Sequence, residues 1–194
     1  MALYHFSVRH VSRGKGQMVV ASAAYISGQR IFDSYYNKIH DYTSKSGVVF
    51  TEILTPEYVP ERLTDRETLW NEVEHVERNN KAQLAYSFDI ALQNELTLEE
   101  NIRLAKEFCQ EQFVARGMIV DLAVHEGKSD NEEEPDNPHF HVLVPIRPFT
   151  EEGIWGNKQR GNIFLMRMET GGRMLKERRY STLFLLPVGM IRSF

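Results

Sequence analysis

Two apolar stretches in the second half of the chain constrain the fold more than any other feature. MIVDLAVHE at 118–126 and HFHVLVPI at 139–146 have the length and composition of β-strands, and an acidic segment with prolines lies between them at 127–138. That composition predicts a loop, so the two strands are expected to form a hairpin. A hairpin at this point favours an antiparallel or mixed sheet.

The remainder of the chain alternates strand and helix patterns. Further strands are predicted at about 3–9, 47–54 and 84–92. Helices are predicted at about 19–30, 64–80 and 97–117, the last two opened by the capping-box pairs Thr64 with Glu67 and Thr97 with Glu100. The sequence therefore predicts an α+β domain with a five-stranded, mainly antiparallel sheet and helices packed on one face, which leaves the other face for a ligand.

Composition narrows the class of protein. No stretch of the 194 residues approaches the about 18 to 20 apolar residues that span a bilayer, and no signal peptide opens the chain, so we expect a cytoplasmic protein without membrane insertion. The single cysteine, Cys109, excludes an intrachain disulfide framework. We expect one domain over residues 1–180, followed by an apolar tail at 181–194 that has no clear structural pattern and is consistent with truncation.

The net charge of −4 argues at first against a nucleic-acid partner, but the charges are unevenly distributed. Basic residues dominate 1–50 and 156–180, whereas the middle of the chain is acidic. This pattern fits a phosphate-binding surface and a solvated mixed surface equally well. Charge alone therefore decides nothing about function.

Three histidines are predicted to meet at one end of the hairpin. His139 and His141 are two residues apart in a strand, so their side chains lie on the same face. His125 lies near the hairpin end of the partner strand, where opposed Cβ atoms are about 4.5 to 5.5 Å apart. Three imidazoles on one cation leave coordination positions open, which is typical of a catalytic metal site.

The motifs around these histidines resemble those of a known family. AVHEG followed by DNPHFHVLV is similar to the third motif of the MobA/MobL-type relaxases, single-tyrosine endonucleases defined by histidine, hydrophobe, histidine. The resemblance covers about residues 1–160: YHFSVRHVSRGKGQMVVASAAYISG resembles the first motif, LWNEVEHVERNNKAQLA the middle segment, and PIRPFTEEGIWGNKQ the segment after the metal site.

The resemblance implies a function and a nucleophile. In the family's first motif a tyrosine after small residues attacks the scissile phosphate, and Tyr25 in SAAYISG matches it. The implied activity is strand-specific nicking and rejoining of single-stranded DNA at a transfer origin through a covalent 5′-phosphotyrosine, with a divalent metal such as Mg²⁺ or Mn²⁺. Accessory relaxosome proteins and a coupling protein are the implied partners. Tyr4, Tyr35 and Tyr36 are weaker candidates.

The general base is a departure from the family pattern. Ser87 occupies a position where the resemblance implies a carboxylate, which leaves Asp89 as the acid on the same strand face. Glu74 and Glu77 on the preceding helix are alternatives. The expected DNA contacts are Arg13, Lys15, Lys158 and Arg160, with loop aromatics such as Trp155 reading bases.

Other functions remain open at this point. A rolling-circle replication initiator or a transposase would use the same chemistry, although the middle and post-histidine segments favour mobilization. A DNA-binding relative that lost its activity would be consistent with Ser87 and the unusual tail. An ordinary metal-dependent phosphodiesterase would need no tyrosine.

Overall fold

A computed structural model of the chain describes residues 5–127 and 137–158. Within these residues the chain forms three α-helices, α1 (Val19–Ser27), α2 (Arg66–Val76) and α3 (Leu98–Gln112). The strands of the same residues are β1 (Phe6–Ser12), β2 (Arg30–Asp33), β3 (Lys38–Asp41), β4 (Val48–Leu54), β5 (Gln83–Ala91), β6 (Val120–His125) and β7 (His139–Pro145). The predicted tail at 181–194 and its boundary at 180 lie outside the described residues, as does most of the acidic segment.

Five strands form one sheet in the order β1-β5-β7-β6-β4, and each neighbouring pair is antiparallel. The predicted α+β class and five-stranded sheet are therefore confirmed. The strands β6 and β7 form the predicted hairpin, and a hydrogen bond from Asn137 N to Gly127 O, 2.9 Å, joins its two arms beyond the last strand pair. Strand β7 lies at the centre of the sheet, so its backbone is paired on both sides.

The helices cover both faces of this sheet, which corrects the expectation of a single covered face. Helices α1 and α2 lie on the face that carries His141 and Ala123. Helix α3 packs on the opposite face, where its Phe108 ring lies 5.9 Å from that of Phe140. The alternation of side chains along β7 explains the division, since Phe140 and His141 point to opposite faces.

Helix α2 is anchored to the sheet by a buried carboxylate. Asp121 on β6 is fully buried and accepts hydrogen bonds from the Arg66 guanidinium, from Nε and Nη2, both at 2.9 Å, and from Trp70 Nε1 at 2.8 Å. All three groups are removed from water, and the carboxylate accepts from both donors. The face of α2 that carries Arg66 and Trp70 is therefore held against the sheet.

The predicted helix starts were correct in one case and wrong in the other. Thr97 and Glu100 form the predicted capping box at the start of α3. At α2 the N-cap is Asp65, whose side chain accepts from Thr68 N at 2.8 Å, whereas Thr64 ends a preceding 3-10 turn and donates to Glu61 O. Asp is as good an N-cap as Thr, and a one-residue shift is hard to read from sequence.

A small hairpin between α1 and β4 was not predicted. Helix α1 ends at Ser27 because Gly28 adopts a left-handed conformation with φ 64°, and β2 and β3 then pair as a separate two-stranded sheet. Each strand is only four residues long, which is too short for a clear period-two pattern. This hairpin packs against α1 and brings the segment after β3 back to the end of that helix.

Among the described residues, no helix combines the length and the apolar character that crossing a membrane requires.

Candidate metal and nucleophile site

The three predicted histidines lie together at the open end of the β6–β7 hairpin. His125 is directly opposite His139 in the register, and His141 is opposite Ala123, two residues further along the same face. One ring nitrogen from each histidine lies within 4.8 Å of the others. The juxtaposition expected from strand geometry is therefore present in the folded chain.

Two of the imidazoles have one ring nitrogen fixed by a backbone carbonyl. His125 Nε2 donates to Ile26 O at 2.7 Å, and His139 Nδ1 donates to Asn137 O at 2.8 Å. A carbonyl only accepts, so these bonds select the tautomer and leave a lone pair on the other nitrogen of each ring. Metal-binding histidines in proteins are oriented in this manner. The donor set and its hydrogen bonds therefore fit a divalent cation.

The environment keeps the rings of His125 and His141 neutral. Burial, reinforced by neighbouring positive charge, lowers the pKa of His125 to about 4 and that of His141 to about 3. Because the charged form is disfavoured, the rings carry free lone pairs at neutral pH. Neutral imidazole is the form that binds a metal.

Tyr25 is exposed on the helix that contacts this cluster. It lies on α1, where its neighbours Ala24 and Ile26 are buried, but half of Tyr25 itself is accessible, with an exposed fraction of 50%. The next residue, Ile26, supplies the carbonyl that binds His125. The same short helix therefore presents the phenol to solvent and contacts the histidine cluster.

A segment that sequence reasoning missed packs on Tyr25. The Tyr42 ring meets the Tyr25 ring edge to face at 5.3 Å, and the Lys45 ammonium lies 3.8 Å from the centre of the Tyr25 ring. Lys45 Nζ also donates to Tyr25 O at 3.0 Å. Tyr42 lies 17 positions and Lys45 lies 20 positions along the chain from Tyr25. Because both follow a hairpin that was not predicted, no local pattern indicated them.

The start of α1 is held by a buried ion pair. Arg13 Nη2 donates to Glu74 Oε2 at 2.6 Å, and the second carboxylate oxygen, Oε1, accepts from Val19 N at 3.0 Å. Arg13 also donates to the carbonyls of Glu74, Glu77 and Asn79. Arg13 and Glu74 are therefore engaged in contacts within the protein. Arg13 is not available as the predicted DNA contact, and Glu74 is not available as the alternative general base.

Asp89 lies on the same sheet face as the histidines. It is directly opposite His141 in the β5–β7 register and is partly buried, and its charge raises the pKa of His125 against the larger effect of burial. Ser87 lies two residues along the same face, opposite Leu143. The other predicted alternative, Glu77, is buried between Arg147 and Lys158.

Comparison with known proteins identifies the family. A sequence model of the MobA/MobL family matches residues 17–183. The chain belongs to this family.

The chain is also similar to named members of conjugation systems. It is 37% identical over 168 residues to a conjugal transfer protein TraA of Agrobacterium fabrum, a match that covers 81% of this chain and 15% of that protein. It is 32% identical over 157 residues to a mobilization protein MobL of Acidithiobacillus ferridurans, covering 80% of this chain and 41% of that protein. The chain therefore spans less than half of each relative.

A solved structure from work on the molecular basis of vancomycin resistance transfer in Staphylococcus aureus has the same fold. The TM-score is 0.73 at 37% sequence identity, and the match covers 87% of this chain and 83% of that one. At this identity the likeness extends beyond the overall arrangement of strands and helices to the sequence itself.

The predicted DNA contacts of this MobA/MobL chain differ in their exposure. Lys15 is exposed in a 3-10 turn that follows β1. Lys158 forms an ion pair with Glu77 at 2.5 Å, and Trp155 is partly buried with its Nε1 bonded to Glu72 Oε1 at 2.7 Å. Arg160 lies outside the described residues.

Two of the alternative tyrosines lie in the small hairpin after α1. Tyr35 and Tyr36 form the turn between β2 and β3, where the Arg13 guanidinium lies 4.3 Å from the centre of the Tyr35 ring. Tyr4 lies outside the described residues. Among the candidate tyrosines that the structure describes, Tyr25 is the one whose neighbouring residue contacts the histidine cluster.

Proposed function

We propose that this chain is the nicking domain of a mobilization relaxase, which cuts and rejoins one DNA strand at a transfer origin through Tyr25. The observation that carries the proposal is the hydrogen bond from His125 Nε2 to Ile26 O at 2.7 Å. It joins the helix of an exposed phenol to a cluster of three imidazoles. Names of the relatives, conjugal transfer and mobilization proteins, support the same process.

The proposed reaction is a phosphoryl transfer without net hydrolysis. The phenol oxygen of Tyr25 attacks the phosphorus, the bond from phosphorus to the 3′ oxygen breaks, and the tyrosine becomes linked to the 5′ phosphate. The phenol loses its proton to a base, and the departing 3′ oxygen takes up a proton. The reverse transfer rejoins the strand, because the tyrosyl ester keeps the phosphodiester bond energy.

A residue of the sheet is proposed to accept the proton of the phenol. An ordinary phenol is largely protonated at neutral pH, so a nearby carboxylate assists by accepting its proton. Asp89 is our candidate, because it lies on the histidine face and is partly exposed, whereas Glu74 and Glu77 are buried in ion pairs.

His125, His139 and His141 would hold a divalent metal. When bound, such an ion polarises the phosphoryl oxygens and stabilises the charge of the transition state. Imidazole donors favour first-row transition ions, so of the two expected ions Mn²⁺ suits this set better than Mg²⁺. The chain's own contribution is to keep His125 and His141 neutral and to orient the His125 and His139 rings through hydrogen bonds to backbone carbonyls.

The proposed substrate and partners follow from the chemistry and the family. The nucleophile reaches a phosphate only in an unpaired strand, so the substrate is single-stranded DNA at the transfer origin. Accessory relaxosome proteins and a coupling protein would act with the longer protein of which such domains are part. The reaction would take place in the cytoplasm of a cell that carries a mobilizable element.

A covalent-adduct assay tests the proposal. Labelled single-stranded oligonucleotides that tile the DNA flanking the gene are incubated with the protein and Mn²⁺ or Mg²⁺, then resolved on denaturing gels. We expect a protein-linked label with the wild-type protein and none with Tyr25→Phe. The matched control is Tyr36→Phe, another exposed tyrosine, which should retain the adduct.

Other outcomes separate the alternatives. Cleavage that persists in Tyr25→Phe would contradict the tyrosine mechanism and indicate a hydrolytic phosphodiesterase. Full activity in EDTA would remove the metal from the mechanism. Binding of DNA without any cleavage by the wild-type protein would indicate an inactive DNA-binding relative.

A further inference from the structure

Lys45 makes two contacts with the residue that we propose as nucleophile. Its ammonium nitrogen lies 3.8 Å from the centre of the Tyr25 ring and 3.0 Å from the Tyr25 carbonyl oxygen. The first contact is a cation–π interaction and the second a hydrogen bond from a charged donor. One ammonium therefore fixes both the ring and the backbone of Tyr25.

The segment that carries Lys45 is tied at both ends. On one side, Tyr42 N donates to Gln29 O at 3.2 Å, and the Tyr42 ring packs on Tyr25. On the other side, Gly47 O accepts from Glu126 N at 2.9 Å, next to His125. Within the segment, Lys45 N donates to Tyr42 O at 2.9 Å. The position of the ammonium is therefore determined by a short, closed turn.

The surroundings of Lys45 differ from those of an ordinary surface lysine. The side chain is partly buried, and burial lowers its pKa from the usual value. An exposed lysine side chain loses rotamer freedom when it is held in one place, so a fixed ammonium needs compensating contacts. The ring and carbonyl of Tyr25 provide these contacts.

We propose that Lys45 is a positioning residue of the nicking site, which orients the Tyr25 ring for attack and provides positive charge beside the strand that the tyrosine approaches. The proposal rests on the proposed function of Tyr25. Loss of the ammonium releases the ring to other rotamers and removes a charge that attracts the anionic backbone. The first effect lowers the rate of adduct formation at saturating protein and the second lowers the affinity for DNA, and we expect the loss of rate to be the larger.

The first test measures the contact without using activity. Protein with isotope-labelled tyrosine rings is examined by NMR, and the Tyr25 signal is assigned from Tyr25→Phe. We expect the signal to move in Lys45→Met and to stay in Lys38→Met, an exposed lysine of the neighbouring hairpin. An unchanged Tyr25 signal in Lys45→Met would overturn the contact, whatever the activity.

The second test separates rate from binding. With saturating protein and the oligonucleotide that gives the wild-type adduct, Lys45→Met should form the adduct about tenfold more slowly or worse, because small misplacements of a reacting group are costly. Lys45→Arg should recover part of the rate, since it keeps the charge. Lys38→Met should stay within about twofold of wild type, and thermal unfolding of all three should match that of wild type.

Two results would contradict the proposal. One is an unchanged adduct rate in Lys45→Met at saturation. The other is a loss confined to the dissociation constant for DNA, which would make Lys45 an ordinary phosphate contact. If wild type gives no adduct that depends on Tyr25, the proposed function fails and the claim about rate fails with it, whereas the NMR comparison still decides whether the contact exists.

Discussion

The β6–β7 hairpin and the segment 19–47 contribute to the same candidate site but are held in place by different means. The histidines lie on adjacent strands, and β7 is paired on both sides, so the backbone ladder determines where their side chains point. Tyr25 lies on a nine-residue helix that depends on side-chain contacts to Glu74, Lys45 and Tyr42. Main-chain pairing thus positions the three histidines, whereas side-chain contacts position the helix of Tyr25.

We therefore expect replacements in the two regions to affect function and stability differently. Replacing a histidine should remove a ligand and leave the ladder intact. Replacing the buried carboxylate of Glu74 at the start of α1 should disturb the fold around the nucleophile and lower activity as a result. The following predictions are arranged to test that contrast, from the largest effect to the smallest.

The largest effect is expected for His141→Ala. We expect metal affinity and adduct formation to fall by more than about a hundredfold, since even indirect changes at metal sites cost about 10- to 100-fold. Isothermal titration with Mn²⁺ and the adduct assay measure the two losses. His5→Ala, an exposed histidine outside the cluster, is the control. Loss of cooperative unfolding in His141→Ala would contradict the idea that strand pairing alone positions the histidines.

Glu74→Gln should cost about 3 to 5 kcal/mol of unfolding free energy, because it leaves the Arg13 charge buried without its partner. Urea unfolding measures the change. The control is Glu107→Gln, whose exposed pair with Arg103 should contribute at most about 0.5 kcal/mol. Equal losses in the two variants would show that the buried pair does not hold α1.

A double replacement, Arg13→Met with Glu74→Met, sharpens the same contrast. Apolar residues of similar size often restore the stability that a broken buried pair removes. Adduct formation should nevertheless be slower than in wild type, because Val19 N lacks its carboxylate acceptor. Full recovery of both stability and rate would mean that the carboxylate has no part in positioning the helix.

Asp89→Asn should slow adduct formation by about a hundredfold, the lower end of the usual contribution of a general base. The amide has nearly the same shape but accepts no proton at neutral pH. Ser87→Ala, on the same strand face, should change the rate little. Similar rates for the two variants would remove Asp89 from the mechanism and leave the base unassigned.

The smallest effect is expected for Lys15→Met. Loss of one phosphate contact should weaken binding of every single-stranded sequence and reduce the slope of log affinity against log salt concentration by about 0.7. Lys158→Met should have a smaller effect, because Lys158 is already paired with Glu77. A larger effect at Lys158 would show that this ion pair opens when DNA binds.

The elements with strong local patterns were predictable. The hairpin of β6 and β7, the helix α3 with its capping box, and the approach of the three histidines all follow from period-two or helical spacing within about thirty residues. The hairpin of β2 and β3 was missed, because strands of four residues carry too little pattern. The cap of α2 was misplaced by one residue, because Thr64 and Asp65 are both good capping residues.

The role expected of Arg13 illustrates a different limit. Its position in a basic amino-terminal segment suggested a phosphate contact, yet its guanidinium is buried against Glu74, which lies 61 residues away along the chain. Charge in a sequence indicates sign and number but not exposure. The same limit applies to Lys158, which a distant glutamate neutralises.

The sequence by itself determined the histidine cluster, because side-chain direction in a strand has a period of two and a hairpin aligns its own arms. Only the tertiary structure decided what holds the nucleophile: the carboxylate of Glu74 at the start of α1, the ammonium of Lys45 over the Tyr25 ring, and the Ile26 carbonyl on His125. These contacts join residues from separate elements. Their distances depend on how the elements pack, and no spacing along the chain encodes them.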